Sequence, residues 1–428
     1  MMLQSVPLQS SGKLPFVLRR RFEFAGALAL AALLPWAGSR WLITDTTFNP
    51  AVFHNTLIAN VLAICLALWI RISVSTYPGL RAGQVVLPAV FVAHATMLTL
   101  LVLTRVPYHR PSLALGFGLH LAWAFAIYYF VSRRLRPRIA IVPVGAVDLL
   151  KDIDTVDWRV LRAPELDRVR DCHAIVADFA DLPDQWEAFL ADAAIEGRVV
   201  YQVQQLFESL TGRVQVRHIS ENSFGSLVPA RAYSAIKHLI DWLAAVALLP
   251  LLLPLLGLTA LAIKAIDGGP VLFRQRRTGR GGRQFWVTKF RTMKAGCEVD
   301  DPRLAAMTDL DDARITRLGA LLRRARIDEL PQVWNILRGE MSWIGPRPEA
   351  QVLSVWYTGD IPFYRYRHVV RPGISGWAQV NQGHVAEVDD IHLKLQYDFF
   401  YIKYFSPWLD ILIVFRTIRT MMTGFGSK

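Results

Sequence analysis

LIDWLAAVALLPLLLPLLGLTALAI, residues 239–263, is long enough to cross about 30 Å of hydrocarbon, yet Pro250 and Pro254 stand near its middle. Each proline removes a backbone donor and crowds the preceding turn, so the stretch predicts a break or sharp kink. Its flanks are basic on both sides: Arg231 and Lys237 precede it, and Lys264, Arg274, Arg276 and Arg277 follow. A full crossing would leave one basic flank on the wrong side of the bilayer. A re-entrant helix that dips into one leaflet and returns satisfies both the charges and the prolines, provided protein covers the freed carbonyls. A fifth full span with a proline kink is the alternative.

Upstream, residues 23–44, 53–70, 82–104 and 111–132 each have the length and low charge of a membrane-crossing helix. They predict a bundle of four transmembrane helices behind a short polar N-terminal segment, residues 1–22, in which no cleavable signal peptide is evident. Lys13, Arg19, Arg20 and Arg21 precede the first span, Arg71 and Arg81 lie between the second and third, and Arg133, Arg134, Arg136 and Arg138 follow the fourth. The other two loops hold only Arg105 and Arg110, so both chain ends are expected on the cytoplasmic side. Glu23 and Arg40 lie near the ends of the first span, within reach of headgroups. A hydrophobic content of 53% in 428 residues and a mean hydropathy of +0.29 agree with a chain partly in lipid. The net charge of +13 then points to anionic lipid and phosphate partners before nucleic acid, for which no helix-turn-helix or zinc pattern exists. Cys65, Cys172 and Cys297 are scattered and suggest neither disulfides nor a metal site.

Residues 138–225 read as a small Rossmann-like α/β module, with the strand-like runs RIAIVPV and RVVYQV and the helical DQWEAFLADAAIEG. Gly145 stands alone where a dinucleotide fingerprint needs three glycines, so a packing or regulatory module without ligand is favoured. Residues 232–428 form a mixed α/β domain that should carry the chemistry. Within it, ARIDELPQVWNILRGEMSWIGPRPE, residues 325–349, puts Asp328 and Glu329 ahead of Pro331 at the start of a helix that Gly339 is placed to end. Adjacent carboxylates repel unless a cation is shared, and a Mg²⁺ ion bridging one of them to diphosphate oxygens relieves this. Lys289, Arg291, Arg323, Arg324, Arg347 and Arg371 supply cations around the pair. Phosphoryl transfer is mostly positioning plus charge neutralisation, which that set suits. Arg347 is fixed between two prolines. The run IPFYRYRHVVRPG, residues 361–373, suits either a membrane interface or an ordinary packed segment, and WLDILIVFRTIRTMM, residues 408–422, either lies along the membrane or packs on the domain.

FRQRRTGRGGRQFWVTKFRTM, DARITRLGALLRRARIDELPQVWNILRGEMSWIGPRPE, RPGISGWAQVNQG and HLKLQYDFFYIKYFSPWLDILIVFRTI together resemble the bacterial sugar transferase family, the phosphoglycosyl transferases, over residues 232–428. With four preceding spans the chain is similar to its polytopic branch, which acts in exopolysaccharide, capsule and O-antigen synthesis. The resemblance implies a membrane α+β protein of the bacterial inner membrane with its catalytic domain on the cytoplasmic face, and it leaves room for a homodimer. It implies transfer of a sugar-1-phosphate from a UDP-sugar to undecaprenyl phosphate, with UMP released. Asp328 would be the nucleophile and form a phosphosugar-aspartyl intermediate, Glu329 would hold Mg²⁺, and Arg323 and Arg347 would steady phosphates. Lys289, Arg291, Arg371, Gln379 and Asp398 fall at substrate-binding positions, and Pro250 and Pro254 at the membrane hinge. Leu253 and Arg326 stand where many members have serine.

Two other readings compete. Asp309-Leu310-Asp311 matches the metal motif of glycosyltransferases, which would release UDP instead of UMP. A non-catalytic scaffold of a polysaccharide assembly complex would be expected to have lost the acid pair or its cations, and all are present. No HExxH or Ser-His-Asp signature is visible.

Overall fold

The computed structural model describes residues 20–42, 49–74, 82–134, 137–180, 182–215, 229, 231–294, 303, 314–382 and 388–423. Asp309-Leu310-Asp311, Cys297 and nearly all of the N-terminal segment lie outside the described residues. The chain divides into two compact units, Met1–Gly212 and Arg213–Lys428.

In the first unit, α1 (Arg20–Ala27) continues through a π-helical segment (Leu28–Leu33) into α2 (Leu34–Leu42). Three long apolar helices follow: α3 (Pro50–Val74), α4 (Ala82–Leu103) and α5 (Arg110–Arg134). With the later helix over 232–266, five helices among the described residues are long and apolar enough to cross a membrane. Ala27, Ala31, Ala32 and Ile64 form a buried cluster with Leu119 and Trp123, joining the first helix to α3 and α5. Glu23 does not reach for headgroups as its place in the sequence suggests. It is buried, pairs with buried Arg71 of α3, and its carbonyl accepts from Trp123 Nε1 at 2.9 Å. A charge in lipid is best neutralised by a partner on the next helix when one is within reach. Arg40 instead lies over the Trp36 ring at 5.6 Å.

The same unit holds a four-stranded parallel sheet in the order β2-β1-β3-β4, built from β1 (Arg138–Ile141), β2 (Asp157–Val160), β3 (Ala174–Ala177) and β4 (Val200–Gln202). Side chains alternate between faces along a strand. Ile139, Ile141 and Val176 accordingly enter one apolar cluster with Leu206 and Phe207, which belong to α7 (Val203–Thr211). Ala140, Val142 and Ile175 enter the opposite cluster with Phe189 and Leu190, which belong to α6 (Asp184–Ile195). The unbroken apolar runs of β1 and β3 are the mark of strands buried on both faces. At the end of β1, Asp178 Oδ2 accepts from Ala146 N at 2.9 Å, so the loop amide is already capped by a carboxylate. The sequence puts the module's end near residue 225. In the structure left-handed Gly212 closes α7 and Val214 N already donates to Gln396 O in the second unit.

The second unit begins with α8 (Arg231–Asp267), a single 37-residue helix that runs through Pro250 and Pro254. Of the expected break or sharp kink, it is the break that does not occur. Proline costs the helix one donor at each site, and continuity survives because neighbouring bonds and packing hold the turns. Lys237, Asp241, Ala245, Leu249, Leu252, Leu256, Ala260 and Ile263, spaced three or four apart, face the unit's own residues. Ile236, Leu239, Leu243, Leu251, Leu258 and Leu261 are exposed along the same helix. After α8 come the antiparallel hairpin β5 (Leu272–Thr278) and β6 (Gln284–Phe290), then α9 (Arg317–Arg324), a 3₁₀ turn (Ile327–Gln332) and α10 (Val333–Leu337). β7 (Ser342–Ile344) pairs in parallel with β8 (Gly373–Ser375). A Cβ on Gly373 would lie 2.1 Å from Gly345 N, so this crossing needs glycine. Between β7 and β8 lie α11 (Gln351–Asp360) and a second 3₁₀ turn (Tyr364–Val369). The unit ends with α12 (Trp377–Gln382), α13 (Val388–Lys403) and α14 (Pro407–Thr423).

Candidate active site

Asp328 and Glu329 occupy the first 3₁₀ turn, entered from α9 through Arg326 in the left-handed region at φ 58°. That conformation costs a non-glycine residue about 1 kcal/mol or more, and it turns the acid pair back under the β5–β6 hairpin. Gly339, at φ 75°, ends α10 as the sequence predicts: its N–H donates to Ile336 O, and Glu340 N–H to Asn335 O. Both carboxylates are buried.

Two cations converge on Glu329. Lys289 Nζ, from β6, donates to Oε1 at 2.9 Å. Arg347, two residues beyond Gly345, grips the carboxylate as a fork, with Nη2 on Oε1 and Nη1 on Oε2 at 3.2 Å. Burial alone would raise the Glu329 pKa, but Arg347 and Lys289 outweigh it and hold the carboxyl well below the usual range. Asp328 is treated differently. Burial first, and the adjacent Glu329 charge second, push its pKa up, against the pull of Lys289, Arg347 and Arg323. Its Oδ1 is buried without a hydrogen-bond partner. Desolvation pushes Lys289 down to about 8 in spite of Glu329. One carboxylate is therefore paired with two cations, and its neighbour keeps a buried oxygen without a hydrogen-bond partner.

The remaining residues singled out by the sequence are placed less directly. Arg323 Nε donates to Thr292 Oγ1 at 2.9 Å, and its charge is felt at Asp328. Arg291 is buried against Gly269. Arg371 Nε donates to Gly339 O at 3.0 Å, and Gln379 Nε2 donates to Ile374 O at 3.1 Å. Asp398 accepts from Arg367 Nη2 at 2.8 Å, and the same nitrogen donates to Arg347 O at 2.9 Å. Asp398 thus connects to the pair through Arg367, a residue that sequence reasoning left inside an aromatic and basic run. Asn335 was also missed. Its amide donates to Trp286 O and Glu340, and its Oδ1 accepts from Thr288 N, tying α10 to β6 beside Lys289.

For Mg²⁺ the chain offers Glu329 Oε2, which accepts one hydrogen bond. Among the described residues no group of three or more His, Cys, Asp or Glu side chains converges. One carboxylate, with the remaining positions left to water and substrate phosphates, is a composition Mg²⁺ sites accept, so Glu329 fits the ion.

A model of the family described as "Bacterial sugar transferase" matches residues 232–424. The chain is 43% identical over 405 residues, 94% of its length and 93% of the relative's, to a UDP-N-acetylgalactosamine-undecaprenyl-phosphate N-acetylgalactosaminephosphotransferase of Aeromonas hydrophila. It is 44% identical over 201 residues, 46% of this chain and 74% of the relative, to a UDP-glucose:undecaprenyl-phosphate glucose-1-phosphate transferase of Caulobacter vibrioides. It is also 37% identical over 194 residues to the exopolysaccharide production protein PSS of Rhizobium leguminosarum bv. phaseoli, matching 44% of this chain and 96% of that protein. With a relative aligned over nearly its whole length and a buried, cation-held acid pair inside the matched region, the chain is a membrane phosphotransferase and belongs to the bacterial sugar transferase family.

Proposed function

We propose that the protein transfers a sugar-1-phosphate from a UDP-sugar to undecaprenyl phosphate, giving undecaprenyl-diphospho-sugar and UMP, as a first step of surface polysaccharide synthesis. The observation that carries this is the contrast within the acid pair: Asp328 holds a free, buried oxygen while Glu329 is gripped by Lys289 and Arg347. Asp328 Oδ1 attacks the donor's β-phosphorus, the bond to the bridging oxygen of UMP breaks, and a phosphosugar-aspartyl anhydride forms. The acceptor phosphate then attacks the same phosphorus and returns Asp328 as a carboxylate. Lys289, Arg347 and Arg323 offset the charge that gathers on the equatorial oxygens. Mg²⁺, held by Glu329, would screen the donor diphosphate.

The setting is the bacterial inner membrane with four spans and the second unit on the cytoplasmic face, a placement the basic loops support. One face of α8 is engaged by its own unit from Lys237 to Ile263, and a perpendicular crossing would draw that unit into hydrocarbon. A shallow re-entrant seat accounts for this together with the exposed apolar residues, and brings a soluble donor and a lipid acceptor to one place. The parallel sheet of the first unit acts as a Rossmann-like packing module.

The test is nucleotide release from a panel of UDP-sugars with undecaprenyl phosphate and Mg²⁺. UDP-N-acetylgalactosamine comes first, since the relative named for that donor aligns across both units. UMP is expected with one donor, falling more than about a thousandfold in Asp328→Asn and strongly in Glu329→Gln. UDP as the product would favour the glycosyltransferase reading.

A further inference from the structure

The segment Gly345-Pro346-Arg347-Pro348-Glu349 cannot brace itself, because two of its five residues have no N–H. Four successive carbonyls are held from outside instead. Pro346 O accepts from Gly373 N at 3.0 Å, Arg347 O from Arg367 Nη2 at 2.9 Å, Pro348 O from Arg277 Nη1, and Glu349 O from Thr278 N at 3.2 Å. Three of these four donors belong to the β5–β6 hairpin or to β8. The fourth, on the residue whose guanidinium grips Glu329, is a side chain from the second 3₁₀ turn.

Arg367 is itself over-determined. It is 3% exposed. Nη2 donates to Asp398 Oδ2 at 2.8 Å, Nη1 donates to Tyr364 OH at 2.6 Å, and Glu349 Oε1 lies 3.6 Å from Nη1. Lys394 also pairs with Glu349. A guanidinium locked on this many sides presents its remaining donor geometry to Arg347 O with little freedom to drift. Asp398 is fully buried and Glu349 is largely shielded, and their charge is compensated mainly through this arginine and Lys394.

We infer that Arg367 is a positioning residue for the transfer reaction, holding the Arg347 backbone so that its guanidinium meets Glu329 as a fork, with Asp398 as the anchor of that brace. Arg367 does not touch the acid pair. Its effect reaches the reaction through Arg347, so the inference rests on the reading of Arg347 given above.

The experiment is a double-mutant cycle on the intact protein in detergent or vesicles, reading UMP release. Arg367→Lys keeps the charge that Asp398 and Glu349 require but loses the planar fork. A displacement of Arg347 on the order of 1 Å predicts a kcat lowered by about 10- to 100-fold, with KM for the nucleotide sugar changed by less than about threefold. In an Arg347→Ala background the same substitution is expected to cost less than about twofold further, since the brace then has nothing to position. A merely structural role would cost the same in both backgrounds, and that result overturns the inference, as does an unchanged kcat in Arg367→Lys. Asp398→Asn, which preserves shape and weakens the anchor, carries the same cycle should Arg367→Lys fold poorly. Full activity in Arg347→Ala alone would instead remove the reading of the site, and this inference with it.

Discussion

Glu329 and Asp328 are neighbours in the chain with opposite electrostatic fates, and Lys289 is the residue that links them to pH. In the proposed mechanism Asp328 attacks as a carboxylate, and burial raises its pKa, so activity should climb at a higher pH than an ordinary carboxylate would give. Lys289 is pushed down to about 8. Its charge is present below that pH and lost above it, so activity should fall on the alkaline side near pH 8. Lys289→Arg carries a cation that stays protonated beyond pH 12, and the alkaline limb of its UMP-release profile is expected to move up by more than about one unit. An unmoved limb would assign the fall to another group. The acid pair, Lys289 and Arg347 were legible in the sequence because their chemistry is written in residue type and proline placement. Arg367 was not. In IPFYRYRHVVRPG it looks like one more interfacial cation, and only the 3₁₀ period shows that Ile361, Tyr364, Arg367 and Val370, each three apart, all point inward.

The element that decides how the enzyme meets the membrane is α8. Its apolar length was evident, and of the break or sharp kink that the two prolines predicted, the break does not occur, since the helix runs through both. Periodicity in the sequence could not reveal which stripe would be taken up by protein, since leucine dominates both. The buried stripe emerges only once Phe285, Val287 and Ile336 are seen against Ala245, and Phe290 and Leu322 against Ile263. The N-terminal end is pinned further by Lys237 Nζ on Asp410 Oδ2 at 2.7 Å and by Ser342 Oγ on Asp241. A re-entrant seat predicts that single cysteines replacing Ala232 and Gly268, in a chain otherwise freed of cysteine, are both labelled by an impermeant thiol reagent from the cytoplasmic side alone. Labelling of the two from opposite sides would make α8 a fifth span.

At the scale of the whole molecule, the family match lies within the second unit, and one relative consists almost entirely of a segment matching 44% of this chain. The four upstream helices and the parallel sheet are therefore expected to be dispensable for the chemistry: residues 213–428, reconstituted in vesicles, should retain donor-dependent UMP release within about tenfold of the full chain. Loss of all release from a fragment that folds would give the first unit a part in catalysis. Composition and hydropathy set the apolar spans apart from the polar modules, because lipid and water impose different alphabets, whereas the boundary between the two units at Gly212 and Arg213 falls inside the module read over residues 138–225. The central claim is that Asp328 carries the phosphosugar. The most direct measurement supplies donor labelled at the β-phosphate with no lipid acceptor present. The account predicts protein-bound label together with UMP release of up to one equivalent, both absent in Asp328→Asn and the label discharged when undecaprenyl phosphate is added. Label that never stays with the protein, with UMP released only when acceptor is present, would contradict it and leave direct displacement between the two substrates.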